Sequence, residues 1–119
     1  MPDITSDVLA ALRGVLSAVH YQHPAHLVAL PCAVLYQSGD SVAARADNQP
    51  HLSEVEYTVE FWAGTPAQTH SLSAQADAAL TALGLRRTGC TDLYDEAARA
   101  HRRVLRYRAL CDASGTLTQ

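Results

Sequence analysis

The amino-acid sequence predicts one α+β domain, with two helices packed on one face of a four-stranded, mainly antiparallel sheet. Three observations carry this prediction: an apolar repeat of helical period near the N-terminus, a strict two-residue alternation in residues 54–62, and a second helical segment after it. The resulting order is α-β-β-α-β-β, with a right-handed crossover through the second helix. With 119 residues, the chain has the size of a single domain that folds without disulfides or a structural metal.

The first element is an amphipathic helix over residues 5–20. Its apolar residues recur at helical spacing: Val8, Leu9, Leu12, Val15, Leu16 and Val19. Asp3 or Thr5 can cap its N-terminus, and Asp7 lies in the first turn, where the helix dipole favours negative charge. Residues 21–31 contain two prolines and are predicted to form a connector.

Two strands follow the connector. Residues 32–36 are predicted to form a short strand, and residues 39–50 a polar, mobile loop. The second strand has the clearest pattern in the sequence, in which one set of residues alternates with another: Val55, Tyr57, Val59 and Phe61 with Glu54, Glu56, Thr58, Glu60 and Trp62. The first set is expected to be buried and the second exposed.

The second helix is predicted to begin at Thr65 and Pro66, because threonine caps helices well and proline is tolerated at the first helical position. Its apolar stripe comprises Leu72, Ala76, Ala79, Leu80 and Leu83. Gly84 follows, where a left-handed C-terminal cap is usual.

Residues 85–93 and 102–111 are predicted as the last two strands, separated by a turn or short helical segment in residues 94–98. The domain then comprises residues 1–111, and residues 112–119 form a flexible C-terminal tail. The core between the helices and the sheet is expected to contain Val55, Tyr57, Val59, Phe61, Leu105, Tyr107, Leu12, Leu16, Leu80 and Leu83.

Cysteine content and hydropathy exclude several classes of protein. Cys32, Cys90 and Cys111 cannot all pair and show no C-x-x-C spacing, so the sequence indicates reduced, mostly buried thiols. The N-terminus is acidic and no stretch approaches eighteen apolar residues. We therefore expect a soluble protein with no export signal and no membrane partner.

One short motif invites an enzymatic interpretation. Gly39-Asp40-Ser41 follows a strand and resembles the nucleophile block of the GDSL hydrolases. Those enzymes also need an Asp-x-x-His pair near the C-terminus, which this chain lacks, and it has no G-x-S-x-G elbow. An ordinary turn is the better interpretation, and no catalytic residue is expected.

Two further patterns suggest ligands. His20, His23 and His26 are spaced like metal ligands, but Pro24 interrupts any helix that would align them, so no metal or other cofactor is expected. Five arginines lie in residues 99–108, yet the chain has a net charge of -3 and no aromatic platform lies between them. Nucleic acid is therefore not an expected binding partner.

Two rows of opposite charge lie on the predicted strands. The acidic row comprises Glu54, Glu56 and Glu60, and the basic row comprises Arg102, Arg106 and Arg108. Side chains two residues apart on a strand face lie about 7 Å apart, so each row repels itself unless the other faces it. If the two strands are neighbours, the rows pair within the chain at modest energetic value. If they are not, the rows are placed for contact between subunits, with Trp62 as an anchor.

Residues 52–110 resemble the tail-terminator (tail-completion) proteins of long-tailed bacteriophages and related prophage and gene-transfer particles. The resemblance rests on the order of four pieces: strand 55–63 (VEYTVEFWA), helix end 82–85 (ALGL), stretch 92–96 (DLYDE) and strand 104–108 (VLRYR). It covers nearly the whole chain if the first helix and Leu30-Pro31 are included.

The resemblance implies a small structural domain, monomeric in solution, that forms a hexameric ring, caps the tail tube and presents a surface for head-neck joining. The implied partners are further copies of the chain, the tail tube protein and the head-neck connector protein, with DNA only passing through the ring lumen. The implied location is the head-proximal end of the virion tail, after assembly in the host cytoplasm. The candidate residues for the subunit or tube interface are Glu54, Glu56, Glu60, Trp62, Arg102, Arg106 and Arg108.

Three alternatives stay open at this point. The chain can be a neck or head-closure protein of the same particle, a small dimeric ligand-binding or regulatory α+β domain, or an esterase-like enzyme. The chain's charge is unevenly distributed, with seven acids against two arginines in residues 1–60 and five acids against seven arginines in residues 61–119. Such asymmetry suits self-association as readily as nucleic-acid binding.

Overall fold

The computed structural model describes residues 4–22, 29–44, 52–111 and 117–118. They form two helices, α1 (Thr5–Arg13) and α2 (Pro66–Leu83), and six strands: β1 (Val19–Tyr21), β2 (Cys32–Ala44), β3 (Leu52–Ala63), β4 (Arg86–Asp95), β5 (Ala100–Cys111) and β6 (Leu117–Thr118). The α+β class and the two helices are confirmed.

The strands form one mixed sheet in the order β1-β2-β3-β5-β4, and the short β6 pairs with the end of β5. β1 runs parallel to β2, whereas the β2-β3, β3-β5 and β5-β4 pairs are antiparallel. The prediction of a mainly antiparallel sheet is confirmed, but the count of four strands is wrong. β3 and β4 are parallel to one another with β5 between them, and α2 connects them.

The first helix is shorter than predicted. It ends at Arg13, and the Gly14 N–H donates to the carbonyls of Ala10 and Ala11. Glycine and β-branched residues are poor helix formers, and Gly14, Val15 and Val19 follow one another closely in the second half of the predicted helix. Val19 instead pairs with Ala33 in the parallel β1-β2 ladder, where it is buried.

The strand β2 is longer than predicted and continues through Gly39-Asp40-Ser41 to Ala44. These residues pair with the first half of β3, and the register shifts between Gln37 and Gly39. The prediction of a loop that begins at Gly39 is therefore wrong, because cross-strand pairing overrides the turn propensity of this composition. The rest of the predicted loop, residues 45–50, lies outside the described residues.

The second helix has the predicted limits. The Thr65 Oγ1 accepts a hydrogen bond from the backbone N–H of Gln68 at 3.2 Å, and Pro66 is the first helical residue. Gly84 ends the helix in the left-handed conformation, with φ of 114°, and its N–H donates to the carbonyls of Leu80 and Thr81. This cap requires glycine, since a Cβ is strained at such a φ.

Both helices pack on one face of the sheet and form the main core with it. Eight of the ten predicted core residues are buried: Val55, Tyr57, Val59, Phe61, Leu105, Tyr107, Leu12 and Leu80. Leu16 and Leu83 are only partly buried, because Leu16 lies beyond the end of α1 and Leu83 is the last residue of α2. In the described residues, we find no helix with the length and apolar character needed to cross a membrane.

Candidate functional site

We call the sheet face opposite α1 and α2 the outer face. β3 and β5 are neighbours in the sheet, so the acidic row and the basic row lie side by side on this face. Glu56 is opposite Arg108, and Trp62 is opposite Arg102. Of the two arrangements that the sequence left open, the structure has the one in which the rows pair within the chain.

Arg108 bridges two members of the acidic row. Its Nη1 lies 3.4 Å from Oε1 of Glu54, and its Nη2 lies 3.5 Å from Oε2 of Glu56. The Arg108 side chain is 43% exposed and both glutamates are about a third exposed. Ion pairs in such a setting contribute about 0–1 kcal/mol each, so they order the strand faces more than they stabilise the fold.

Thr58, Glu60 and Trp62 are buried, contrary to the prediction that their side of the strand is exposed. The Glu60 carboxylate accepts hydrogen bonds from the Tyr36 hydroxyl at 3.0 Å and from the Trp62 Nε1 at 3.2 Å. Arg102 Nη1 lies 3.7 Å from the same carboxylate. We call Glu60, Tyr36, Trp62 and Arg102 the Glu60 cluster. Donors converging on the carboxylate offset the desolvation that its burial costs.

The side chains of neighbouring strands cover the Glu60 cluster. The guanidinium of Arg102 lies over the Trp62 ring, 5.1 Å from its centroid. Trp62 also packs in a small apolar group, in which Cys32, Val34 and Ala100 are buried and Ala18 and Tyr36 are partly buried. Alternation along a strand predicts the side on which a residue lies, but not what covers it.

The Tyr36 hydroxyl stays protonated over an extended pH range. Burial is the main cause that raises the pKa of Tyr36, and the hydrogen bond to Glu60 and the charge of Glu60 raise it further. An anionic tyrosine would lose this hydrogen bond and face a buried carboxylate. Tyr36 is therefore a hydrogen-bond donor to Glu60.

Arg106 differs from the other members of the basic row. It is exposed, is opposite Thr58 in the β3-β5 register, and its Nη1 lies 3.4 Å from the Thr91 Oγ1. Among the described residues, no carboxylate pairs with it. Arg106 is thus the residue of the basic row whose charge remains available to a partner.

A second polar cluster lies at the start of α2 and was not predicted from the sequence. Arg103 Nη1 lies 2.9 Å from both carboxylate oxygens of Asp92 and 3.0 Å from His70 Nε2. These residues come from β5, β4 and α2, so only the tertiary structure brings them together. Beside them is an open cleft of about 330 Å³, lined by Pro66, Thr69, His70, Asp92, Leu93, Tyr94, His101 and Arg102.

The catalytic and metal motifs of the sequence do not form sites in the described residues. Ser41 lies inside the regular β2-β3 ladder, opposite Glu54. His20 lies in β1, whereas His23 and His26 fall outside the described residues. Within residues 4–22, 29–44, 52–111 and 117–118, no group of three metal-binding side chains is present.

A known protein family and a solved structure both match this chain over nearly its whole length. The family described as Tail completion protein gp17 matches residues 4–112. A chain in the solved structure titled "Virion of native gene transfer agent (GTA) particle" is similar with a TM-score of 0.60 and 19% sequence identity, over 91% of each chain. At that identity, the likeness shows the fold alone. Among curated proteins, no sequence matches.

Proposed function

The chain belongs to the tail completion protein gp17 family, and we propose that it ends a phage-type tail by forming a ring of six copies on the tail tube. Membership of the family makes it a structural protein of the tail. In the proposed role, the ring stops further polymerisation of the tube at its head-proximal end and presents a surface for the head-neck connector.

The family match over residues 4–112 is the observation that carries this proposal. It spans both helices and the five main strands, so the proposed role belongs to the domain as a whole. Family membership also argues against the regulatory-domain alternative. We further propose that the protein acts without catalysis, since Gly39-Asp40-Ser41 continues strand β2 in its pairing with β3 and does not form a nucleophile turn.

The roles of the seven candidate interface residues follow from their contacts. We propose that the outer face meets the tail tube or a neighbouring copy, with Arg106 as a charge that no carboxylate of the described residues pairs. Glu54, Glu56 and Arg108 are partly exposed and flank it on the same face. Glu60, Trp62 and Arg102 support this surface from within, because their charges and hydrogen bonds are used inside the cluster.

Disruption of the gene in a particle-producing strain tests this function. We expect overlong tubes or heads without tails, restored by the wild-type gene, and immunogold label on the protein at the head-proximal tail end. Tails of normal length that fail to join heads would instead indicate a neck or head-closure protein. Normal, infectious particles without the gene would contradict any role in tail completion.

A further inference from the structure

We propose that copies join through the two edges of the sheet, with the outer edge of β4 in one copy pairing with β1 of the next. This inference rests on the proposed ring and names the surfaces that close it. A ring needs a heterologous contact, in which one surface of each copy meets a different surface of the next copy. The opposite edges of an open sheet are two such surfaces.

The outer edge of β4 is unpaired among the described residues, since β4 ends the strand order. Its two halves differ. Arg86, Arg87 and a register shift between Arg87 and Gly89 occupy the first half, and charge and irregularity are the usual protections against edge pairing. The second half, residues 90–95, pairs regularly with β5 and contains no proline. Its two carboxylates are engaged within the chain, Asp92 by Arg103 and Asp95 by the Ala98 N–H. This half is suited to accept another strand.

Exposed apolar side chains lie near both edges of the sheet, β1 and β4. Among the described residues, the exposed large hydrophobic side chains are Tyr21, Leu30, Leu93 and Tyr94. Leu93 and Tyr94 are neighbours in β4, with 43% and 54% of their surface exposed. Tyr21 is the last residue of β1, and Leu30 lies just ahead of β2, the strand that pairs with β1. A head-to-tail contact brings Tyr21 of one copy against Leu93 and Tyr94 of the next and removes this apolar surface from water.

Strand direction also favours this junction. β4 runs in the same direction as β3, and β1 runs in the opposite direction. Rotation about a ring axis keeps these directions relative to the axis, so β4 meets the next copy's β1 in antiparallel orientation. Antiparallel strands form the slightly more stable ladder, and the main-chain hydrogen bonds continue the sheet from copy to copy.

The cleft beside β4 can accept a side chain of the next copy at the proposed contact. Leu93 and Tyr94 line it together with Pro66 at the start of α2. The Tyr94 ring contacts His101 edge-on at 4.9 Å, which fixes one wall. At about 330 Å³, the cleft has room for one large apolar side chain from the β1 edge of the next copy.

A symmetric dimer through two antiparallel β4 strands is the rival arrangement. A two-fold axis at Cys90 would bring the two Cys90 thiols together, and Cys90 is exposed whereas Cys32 and Cys111 are buried. Oxidation of the wild-type protein therefore tests the rival in the register centred at Cys90. We expect the protein to stay free of disulfide-linked dimers, and efficient Cys90 dimers would overturn the edge-to-edge proposal.

The direct test is crosslinking with a short, flexible bismaleimide in a Cys90→Ser background. Both Tyr21→Cys and Leu93→Cys replace exposed side chains, and circular dichroism checks their folding. The double variant should give a ladder of covalent oligomers that ends at the closed ring. A mixture of the Tyr21→Cys and Leu93→Cys single variants should give crosslinked dimers and nothing larger. Either single variant alone should give no crosslinked product. Gln75→Cys with Leu93→Cys is the matched control, since Gln75 lies on the exposed side of α2 and should give no ladder.

The crosslinking is done on particles assembled with the double variant, and on concentrated purified protein if the variant does not enter particles. Tails of normal length without a ladder would overturn the edge contact and leave the proposed function intact. Normal tails in the gene disruption would overturn the function itself. A ladder from Tyr21→Cys with Leu93→Cys, absent in the Gln75→Cys control, supports the proposal.

Discussion

Arg102 lies over the ring of Trp62, with its guanidinium carbon 5.1 Å from the ring centroid, and the same side chain reaches the Glu60 carboxylate. One arginine thus joins β5 to β3 by a cation–π contact and an ion pair. The arrangement explains why a tryptophan on the outer face is only 5% exposed.

The Glu60 cluster predicts a large stability difference between two glutamates of one strand. Glu60→Ala leaves the donors of Tyr36, Trp62 and Arg102 facing a vacated site, and we expect a loss of about 3 kcal/mol. Glu54→Ala removes a partly exposed partner of Arg108 and should cost about 0–1 kcal/mol. Urea denaturation followed by tryptophan fluorescence measures both. Equal losses in the two variants would show that Glu60 is not supported by its donors.

Local signals in the sequence predicted most of the elements. The two-residue alternation identified the buried face of β3, and Thr65 and Gly84 marked the limits of α2. β1 could not be predicted, because three residues become a strand only through pairing with β2, whose first residue lies eleven positions after the end of β1. The charged rows were visible in the sequence, but their adjacency depends on β3 and β5, which α2 and β4 separate along the chain.

The core face of β3 makes Phe61→Ala a sensitive probe of the fold. Phe61 is fully buried between the sheet and the helices, so its truncation leaves a cavity and should cost about 3–5 kcal/mol. Little soluble protein is expected. Thr81→Ala, on the exposed side of α2, is the control and should change stability by about 0.5 kcal/mol or less. Thermal unfolding compares the two, and a Phe61→Ala protein as stable as the control would refute the assigned core.

The pairing of the two rows predicts rescue by charge exchange. Glu56→Arg and Arg108→Glu each place like charges within reach on neighbouring strands, so each variant should be less stable than wild type at low salt. The double variant restores opposite charges at positions 56 and 108 but leaves Glu54 beside the new carboxylate, so it should recover part of the loss. Salt should weaken both effects. Denaturation at two salt concentrations checks this, and additive losses in the double variant would mean that the residues do not interact.

Tyr107 predicts a contribution to the alkaline limit of stability. Burial is the main cause that raises the pKa of Tyr107, and its hydroxyl also donates to Asp77 at 2.8 Å. The folded state therefore holds this proton more tightly than the unfolded state. The resulting stability is present below a pH of about 10, the ordinary tyrosine value, and is lost as the pH rises above it.

Tyr107→Phe should lower stability by about 1 kcal/mol at neutral pH, because the hydrogen bond to Asp77 is lost. It should also make stability fall less steeply above the ordinary tyrosine pKa. Tyr94→Phe is the matched control, since Tyr94 is exposed and should follow the wild-type profile. Denaturation across an alkaline pH series measures all three proteins. An unchanged slope in Tyr107→Phe would show that other groups set the alkaline limit.

Arg106 tests whether the outer face meets a partner in the particle. Its guanidinium contacts the Thr91 hydroxyl, and no carboxylate of the described residues pairs with it, so Arg106→Glu should leave folding almost unchanged. The same change reverses the charge that the proposed interface offers, and we expect overlong or headless tails in complementation assays. Arg13→Glu is the matched control, because Arg13 is exposed at the end of α1, away from the outer face. If Arg106→Glu restores tails as fully as Arg13→Glu does, the outer face is only a solvated strand surface and the contact with the particle lies elsewhere.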